Sequence, residues 1–187
     1  MTVHGLLLAA GAGRRMGRPK ALVRGDDGEP WLVRGVRVLH EGGCDQVDVV
    51  LGAAAEDALP MLDGTGATAV VAADWASGMS ASLRAGLAAV EATDATAAVV
   101  TLVDLPDVGA DVVRRLLAEP PDAGTLRRAA YDGRPGHPVV LGRDHWGAVA
   151  GGASGDRGAR DYLAARPVAL VECGDLASGR DVDTIDG

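Results

Sequence analysis

Val3-His4-Gly5-Leu6-Leu7-Leu8-Ala9-Ala10-Gly11-Ala12-Gly13-Arg14-Arg15-Met16-Gly17-Arg18-Pro19-Lys20 decides the fold of this chain. Val3 to Ala9 is a short apolar run followed by turn residues, which is the pattern of a buried strand. The glycines at 11, 13 and 17 let backbone approach a ligand closely. Successive exposed N–H groups in such a turn form a concavity that binds anions. Arg14, Arg15, Arg18 and Lys20 add four cations here, in a chain of formal net charge -8. A local basic cluster on an acidic protein points to a small polyanion. Nucleic acid would call for a broad basic face. Lys20 is the only lysine among 18 basic side chains. A planar guanidinium does not replace a compact ammonium on a flexible stem. Lys20 therefore reads either as a phosphate-gripping lysine at the end of a glycine-rich loop or as an ordinary surface residue.

Two familiar phosphate loops do not fit. The dinucleotide fingerprint has the spacing G-x-G-x-x-G and opens a helix. Here the spacing is G-x-G-x-x-x-G, with Pro19 close behind. The P-loop requires Gly-Lys followed by Ser or Thr, whereas Gly17 is followed by Arg18-Pro19-Lys20-Ala21.

Beyond the loop, strand-like runs alternate with helical patterns. Pro30 opens a helix ended by Gly42-Gly43, with Leu32, Val33, Val36 and Leu39 at helical spacing. Strands are expected at Val47–Leu51, Ala67–Ala72, Ala97–Val103 and Val168–Cys173. Helices are expected at Glu56–Leu62 (weakened by Pro60), from a Ser80 cap to about Ala92, at Asp111–Ala118 and at Asp156–Ala165. Thr125–Ala130 and Pro138–Leu141 flank a turn at Asp132-Gly133-Arg134. This alternation predicts a three-layer α/β/α fold with a mostly parallel, Rossmann-like sheet. In such sheets ligands bind beyond the carboxyl ends of the strands. Asp104 lies at that end of the run 97–103, where a carboxylate can hold Mg²⁺ on substrate phosphates or cap a helix.

A length of 187 residues with 48% hydrophobic content suits one folded domain over 1–187. Phe is absent, so Leu, Val and Ala must build the core. Cys44 and Cys173 stand apart with no zinc spacing. The apolar segment 3–12 is followed by arginines, the reverse of a signal peptide, and no run reaches membrane-spanning length. A cytoplasmic protein without nucleic-acid or membrane partners is expected. His4, His40, His137 and His145 are dispersed, so no catalytic triad can be assembled, and no acid/base pair stands out. That absence fits chemistry at a phosphate, where positioning and charge neutralisation do most of the work.

The stretch from Leu8 to Leu22, L-A-A-G-x-G-x-R-M-G-x-P-K-x-L, resembles the nucleotide-binding motif of the MobA-like nucleoside-triphosphate transferases. It is most similar to the molybdenum cofactor cytidylyltransferase branch. Further similarity lies at Ser77–Leu83, Val103-Asp104-Leu105-Pro106, Gly136-His137-Pro138, Gly155–Arg160 and Asp181–Thr184. The resemblance implies a nucleotide-diphospho-sugar-transferase-like fold and transfer of CMP from CTP to the phosphate of molybdopterin, with Mg²⁺ and release of pyrophosphate. A molybdenum hydroxylase is the implied recipient.

The resemblance also implies roles for residues. Leu8, Ala9, Ala10, Gly11 and Gly13 hold the nucleotide, Arg15 neutralises the β- and γ-phosphates, and Lys20 stabilises charge at the α-phosphate. Asp104 and Asp183 bind the metal, although Asp183 by itself reads as part of an exposed acidic tail. Gly78 and Ser80 contact base and ribose, and Ser80 reads equally as a helix cap. His137, Asp156 and Arg157 face the acceptor, although His137 can be structural and Asp156 can pair with Arg160 along a helix. The family also contains proteins described as oxidoreductases, so an NAD(P)H-dependent oxidoreductase on the same fold is one alternative. A non-catalytic chaperone for the cofactor is another.

Overall fold

The computed structural model describes residues 1–182. Its strands are β1 (Val3–Leu8), β2 (Gln46–Leu51), β3 (Thr68–Val71), β4 (Ala97–Leu102), β5 (Leu126–Tyr131), β6 (Arg134–Gly142) and β7 (Ala169–Glu172). Its helices are α1 (Trp31–Glu41), α2 (Ala55–Ala58), α3 (Met79–Glu91), α4 (Ala110–Leu116), α5 (Trp146–Gly152) and α6 (Arg160–Ala164). Among the described residues the strands form one sheet in the order β3-β2-β1-β4-β6-β5-β7. Strands β1 to β4 run parallel, and β6 is antiparallel to both of its neighbours.

β1 is buried along its whole length, as a central strand covered on both faces must be. Alternate side chains enter different layers. Leu7 packs with Leu32, Val36 and Leu39 of α1 and with Val112 and Leu116 of α4. Leu6 and Leu8 pack with Leu83 and Leu87 of α3, and Trp146 and Val149 of α5 lie in the same cluster. The helices sit close because glycine faces leucine on each side. A Cβ at Gly35 would lie 2.8 Å from Leu7, and one at Gly86 would lie 2.6 Å from Leu6. This is the three-layer α/β/α arrangement expected.

Several expectations are corrected. The predicted helix 56–62 divides into α2 and a 3₁₀ turn at Leu59–Leu62, because Pro60 has no N–H to continue the α ladder. The predicted helix 156–165 begins only at Arg160. Residues 155–157 form a 3₁₀ turn flanked by Gly155 and Gly158 at positive φ. α5 was not anticipated, since Trp-Gly-Ala-Val-Ala-Gly-Gly has neither cap nor clear period. β6 starts at Arg134 and so runs through Pro135 and Pro138. Its first half pairs with β5 alone, and pairing with β4 begins at Val139. Prolines are tolerated on such a one-sided stretch. The missing β4 partner there leaves an opening beside the carboxyl end of β4.

Candidate active site

The carboxyl ends of β1 to β4 lie on one side, and the segments following β1, β3 and β4 meet there around a cavity of about 310 Å³. From the first segment come Leu8, Ala10, Gly11, Gly13, Arg14 and Lys20. Trp75 and Gly78 come from the second and Asp104 from the third. The glycine-rich loop is folded on itself: Lys20 N–H donates to Gly11 O at 3.1 Å and Met16 N–H to Gly13 O at 2.9 Å. Gly13 has φ 57°, and a Cβ there would lie 1.9 Å from the carbonyl oxygen of Arg18, so only glycine closes this turn. The Lys20 ammonium pairs with the buried carboxylate of Asp104. The lone lysine and the strand-end aspartate, 84 positions apart in sequence, thus share one cavity.

Other candidates fall differently. Ala9 is buried beneath the loop, with its N–H bonded to Val50 O. Arg15 is exposed, and it is Arg14 that lines the cavity. Ser80 is not a cap: Gly78 occupies the N-cap position of α3, and Ser80 lies buried in its first turn. The Ser80 hydroxyl accepts the Gly158 N–H at 3.2 Å. Asp156 does not pair with Arg160. It accepts the Met79 N–H at 3.3 Å, and the ion pair along the chain is Arg157–Asp161 at 3.1 Å. Gly78, at φ 106°, has no room for a side chain, because a Cβ would lie 2.6 Å from the Asp156 carboxylate. The loop 154–158 is therefore seated on the start of α3.

Asp156 also lines a second cavity, of about 460 Å³, in the opening between β4 and β6. His137 and Arg157 line it too, and so do Arg128, Arg160 and Asp181, which the sequence had not singled out as acceptor residues. Arg128 eluded sequence reading because it follows Arg127 in an ordinary strand pattern. Alternation separates the two. Arg127 is buried against α4, donating to Leu116 O at 2.6 Å, while Arg128 faces the cavity.

Burial, with the Arg128 and Arg160 charges nearby, lowers the His137 pKa to about 4. The folded pKa lies below the unfolded value of about 6.5, so the unfolded chain binds the proton more readily. The stability His137 confers is complete above the unfolded value and drains away as pH falls from about 6.5 toward about 4. The denaturation midpoint should therefore drop across that window, with His137→Gln showing a shallower drop. Equal slopes for both proteins would remove His137 as the cause.

Asp183 lies outside the described residues. Val182, the last described residue, donates its N–H to Asp104 O at 2.9 Å. Among the described residues no cluster of three or more His, Cys, Asp or Glu gathers to hold a metal. Asp104 still fits Mg²⁺ or Mn²⁺: it offers hard oxygen donors at the cavity wall, and Mg²⁺ is commonly held by one or two carboxylates plus phosphates and water. No described helix is long and apolar enough to cross a membrane.

The MobA-like NTP transferase domain matches residues 5–170. The chain belongs to this family. It is a nucleotidyltransferase by family and fold. The chain is 40% identical to nicotine blue oxidoreductase of Paenarthrobacter nicotinovorans, over 98% of this chain and 93% of the relative. Molybdenum cofactor guanylyltransferase of Rhodobacter capsulatus is 34% identical, over 80% of this chain and 68% of the relative. Among solved structures, Rv0371c of Mycobacterium tuberculosis H37Rv superimposes with a TM-score of 0.81 at 30% identity, covering 98% of this chain and 94% of that one. A manganese complex of Rv0371c matches with a TM-score of 0.75 at 28% identity, covering 92% and 89%. A relative of similar structure thus binds manganese.

Proposed function

We propose that this single domain transfers CMP from CTP to the phosphate of a molybdopterin-type acceptor. One acceptor oxygen forms a bond to the α-phosphorus, the bond from that phosphorus to the bridging oxygen breaks, and pyrophosphate leaves with the electron pair. The observation that carries this reading is the shared cavity in which Lys20 meets Asp104, next to a second, arginine-lined cavity. The glycine loop cradles the triphosphate, with Arg14 and Arg15 as its cations. A phosphate takes over the Lys20 ammonium, which frees the Asp104 carboxylate to bind a cation. Asp104 would hold Mg²⁺ with Asp183, and the ion would neutralise charge on the transferring phosphates. Gly78 and its neighbours face the base, and His137, Asp156 and Arg157 face the acceptor. The product would pass to a molybdenum hydroxylase in the cytoplasm.

The nucleotide preference rests on Ala10. In the resembled family Leu-Ala-Ala-Gly tends to accompany the cytidylyl enzymes, and guanylyl relatives tend to carry Leu-Ala-Gly-Gly. Ala10 lines the cavity with its methyl against Gly52. Removing that methyl should make room beside the base. A methyl-sized difference is worth about 1–3 kcal/mol, roughly 10- to 200-fold. Calorimetric titration with Mg²⁺ should show CTP binding more tightly than GTP, and Ala10→Gly should narrow the gap. Equal affinities in the unaltered protein would remove the cytidylyl assignment. Transfer itself is tested by pyrophosphate release from each nucleoside triphosphate with molybdopterin.

A second reading, an NAD(P)H-dependent oxidoreductase, is favoured by the 40% identity to a relative named as an oxidoreductase. The loop lacks the dinucleotide spacing. NADPH oxidation without pyrophosphate release in the same assay would favour this second reading over transfer.

A further inference from the structure

We propose that Arg128 and Arg160, together with His137, form the receptor for a phosphomonoester in the second cavity, and that these arginines select a phosphate as acceptor over an alcohol. Arg128 projects from β5, half-buried, and spends Nε and Nη2 on the carbonyl of Gly136, at 3.0 and 2.9 Å. Arg160 opens α6 and is exposed. Among the described residues no carboxylate forms an ion pair with either one, whereas Arg157 at the same cavity is paired with Asp161. Two carboxylates line the cavity, Asp156 and Asp181. Asp156 is engaged by the Met79 N–H.

Burial and the charge of Arg160 both lower the proton affinity of Arg128. The charge of Arg160 bears on Arg128, and among the described residues neither guanidinium is in an ion pair, so an anion placed beside both relieves their repulsion. The chain is acidic overall, so a pair of arginines in one cavity, neither in an ion pair among the described residues, is a local reversal of sign. A guanidinium fork matches a phosphate geometrically.

His137 refines the class of ligand. Its low basicity leaves the ring neutral at physiological pH, able to donate one hydrogen bond and unsuited to removing a proton from an alcohol. A phosphate arrives already ionised and needs no such base. The remaining wall is apolar, with Leu83, Val139, Leu141 and Leu163, and suits the body of an organic phosphomonoester better than inorganic phosphate. The acceptor role of this site rests on the transferase reading, but phosphomonoester binding does not.

The test uses the full chain and phenyl phosphate as probe, followed by ¹⁵N NMR that resolves arginine Nε–H signals. Phenyl phosphate should shift Arg128 and Arg160, and phenol should not bind. A hydrogen bond to a charged group is worth enough that Arg160→Gln should weaken phenyl phosphate by about tenfold or more. Arg160 is exposed, and among the described residues its side chain makes no hydrogen bond or ion pair, so this variant stays interpretable even if Arg128→Gln fails to fold. An unchanged affinity in Arg160→Gln, no binding at all, or shifts confined to residues 11–17 would each overturn the proposal. If phenyl phosphate binds here while no nucleoside triphosphate releases pyrophosphate, the receptor stands and the transferase reading falls.

Discussion

Lys20→Arg is expected to stay folded and to lose about 100- to 1,000-fold in transfer rate, the usual cost of removing one preorganised contact at a reacting centre. The substitution keeps the charge, so the loss reports geometry. The Lys20 backbone N–H closes the loop onto Gly11 O, and that bond survives any side-chain change. The ammonium reaches the Asp104 carboxylate from the loop side of the cavity. An arginine there must fit a broader, planar head beside Gly11, where even an added Cβ would meet the Lys20 Cδ at 3.8 Å. It would address two oxygens in a plane, where a point charge can follow the α-phosphate as its charge grows. Nucleotide affinity should fall much less than turnover. A variant that releases pyrophosphate at the rate of the unaltered protein would show that the single lysine in this sequence has no catalytic significance.

The same loop explains how much of the molecule was legible in the sequence. The strand 3–8 and its glycine turn could be read because each rests on local chemistry: an unbroken apolar run, then residues that permit tight backbone. Asp104 could be read because the strand before it is equally plain. The second cavity could be read only through the resemblance, which implied His137, Asp156 and Arg157 but neither Arg128 nor Arg160. It exists because β6 overshoots β4, and the overshoot depends on register between strands distant in sequence. Read locally, the run began at Pro138 after a turn at 132–134, and only the one-sided pairing with β5 carries the strand back through Pro135 to Arg134. Ser80 looked like a cap because Ser is a good one. Gly78 takes the position because the loop 154–158 presses against it, a contact between segments some 77 residues apart. Pairing of Asp156 with Arg160 was plausible at helical spacing, but no α-helix covers 156–159. Sequence reading thus succeeded where a motif is its own environment, and failed where one segment shapes another.

Asp104→Asn should separate binding from turnover in the opposite direction to an ordinary binding-site lesion. The side chain is buried, and its charge is compensated by Lys20. The amide keeps the shape but removes a negative charge from beside the triphosphate. Without divalent metal, nucleotide affinity should hold or improve, because Lys20 no longer has a carboxylate competing with the phosphate. With Mg²⁺ present, turnover should fall by about 100-fold or more, since a fixed charge contact at the phosphoryl centre is lost. Raising the Mg²⁺ concentration should recover part of that loss if Asp104 binds the ion. Asp183→Asn should show the same Mg²⁺ dependence if the tail supplies the second carboxylate. Titration of nucleotide with and without Mg²⁺, alongside initial rates over a Mg²⁺ series, reads all of these quantities. Should Asp104→Asn weaken metal-free nucleotide binding as much as it slows turnover, the carboxylate would be acting only as a brace for Lys20. The site would then require a different metal ligand.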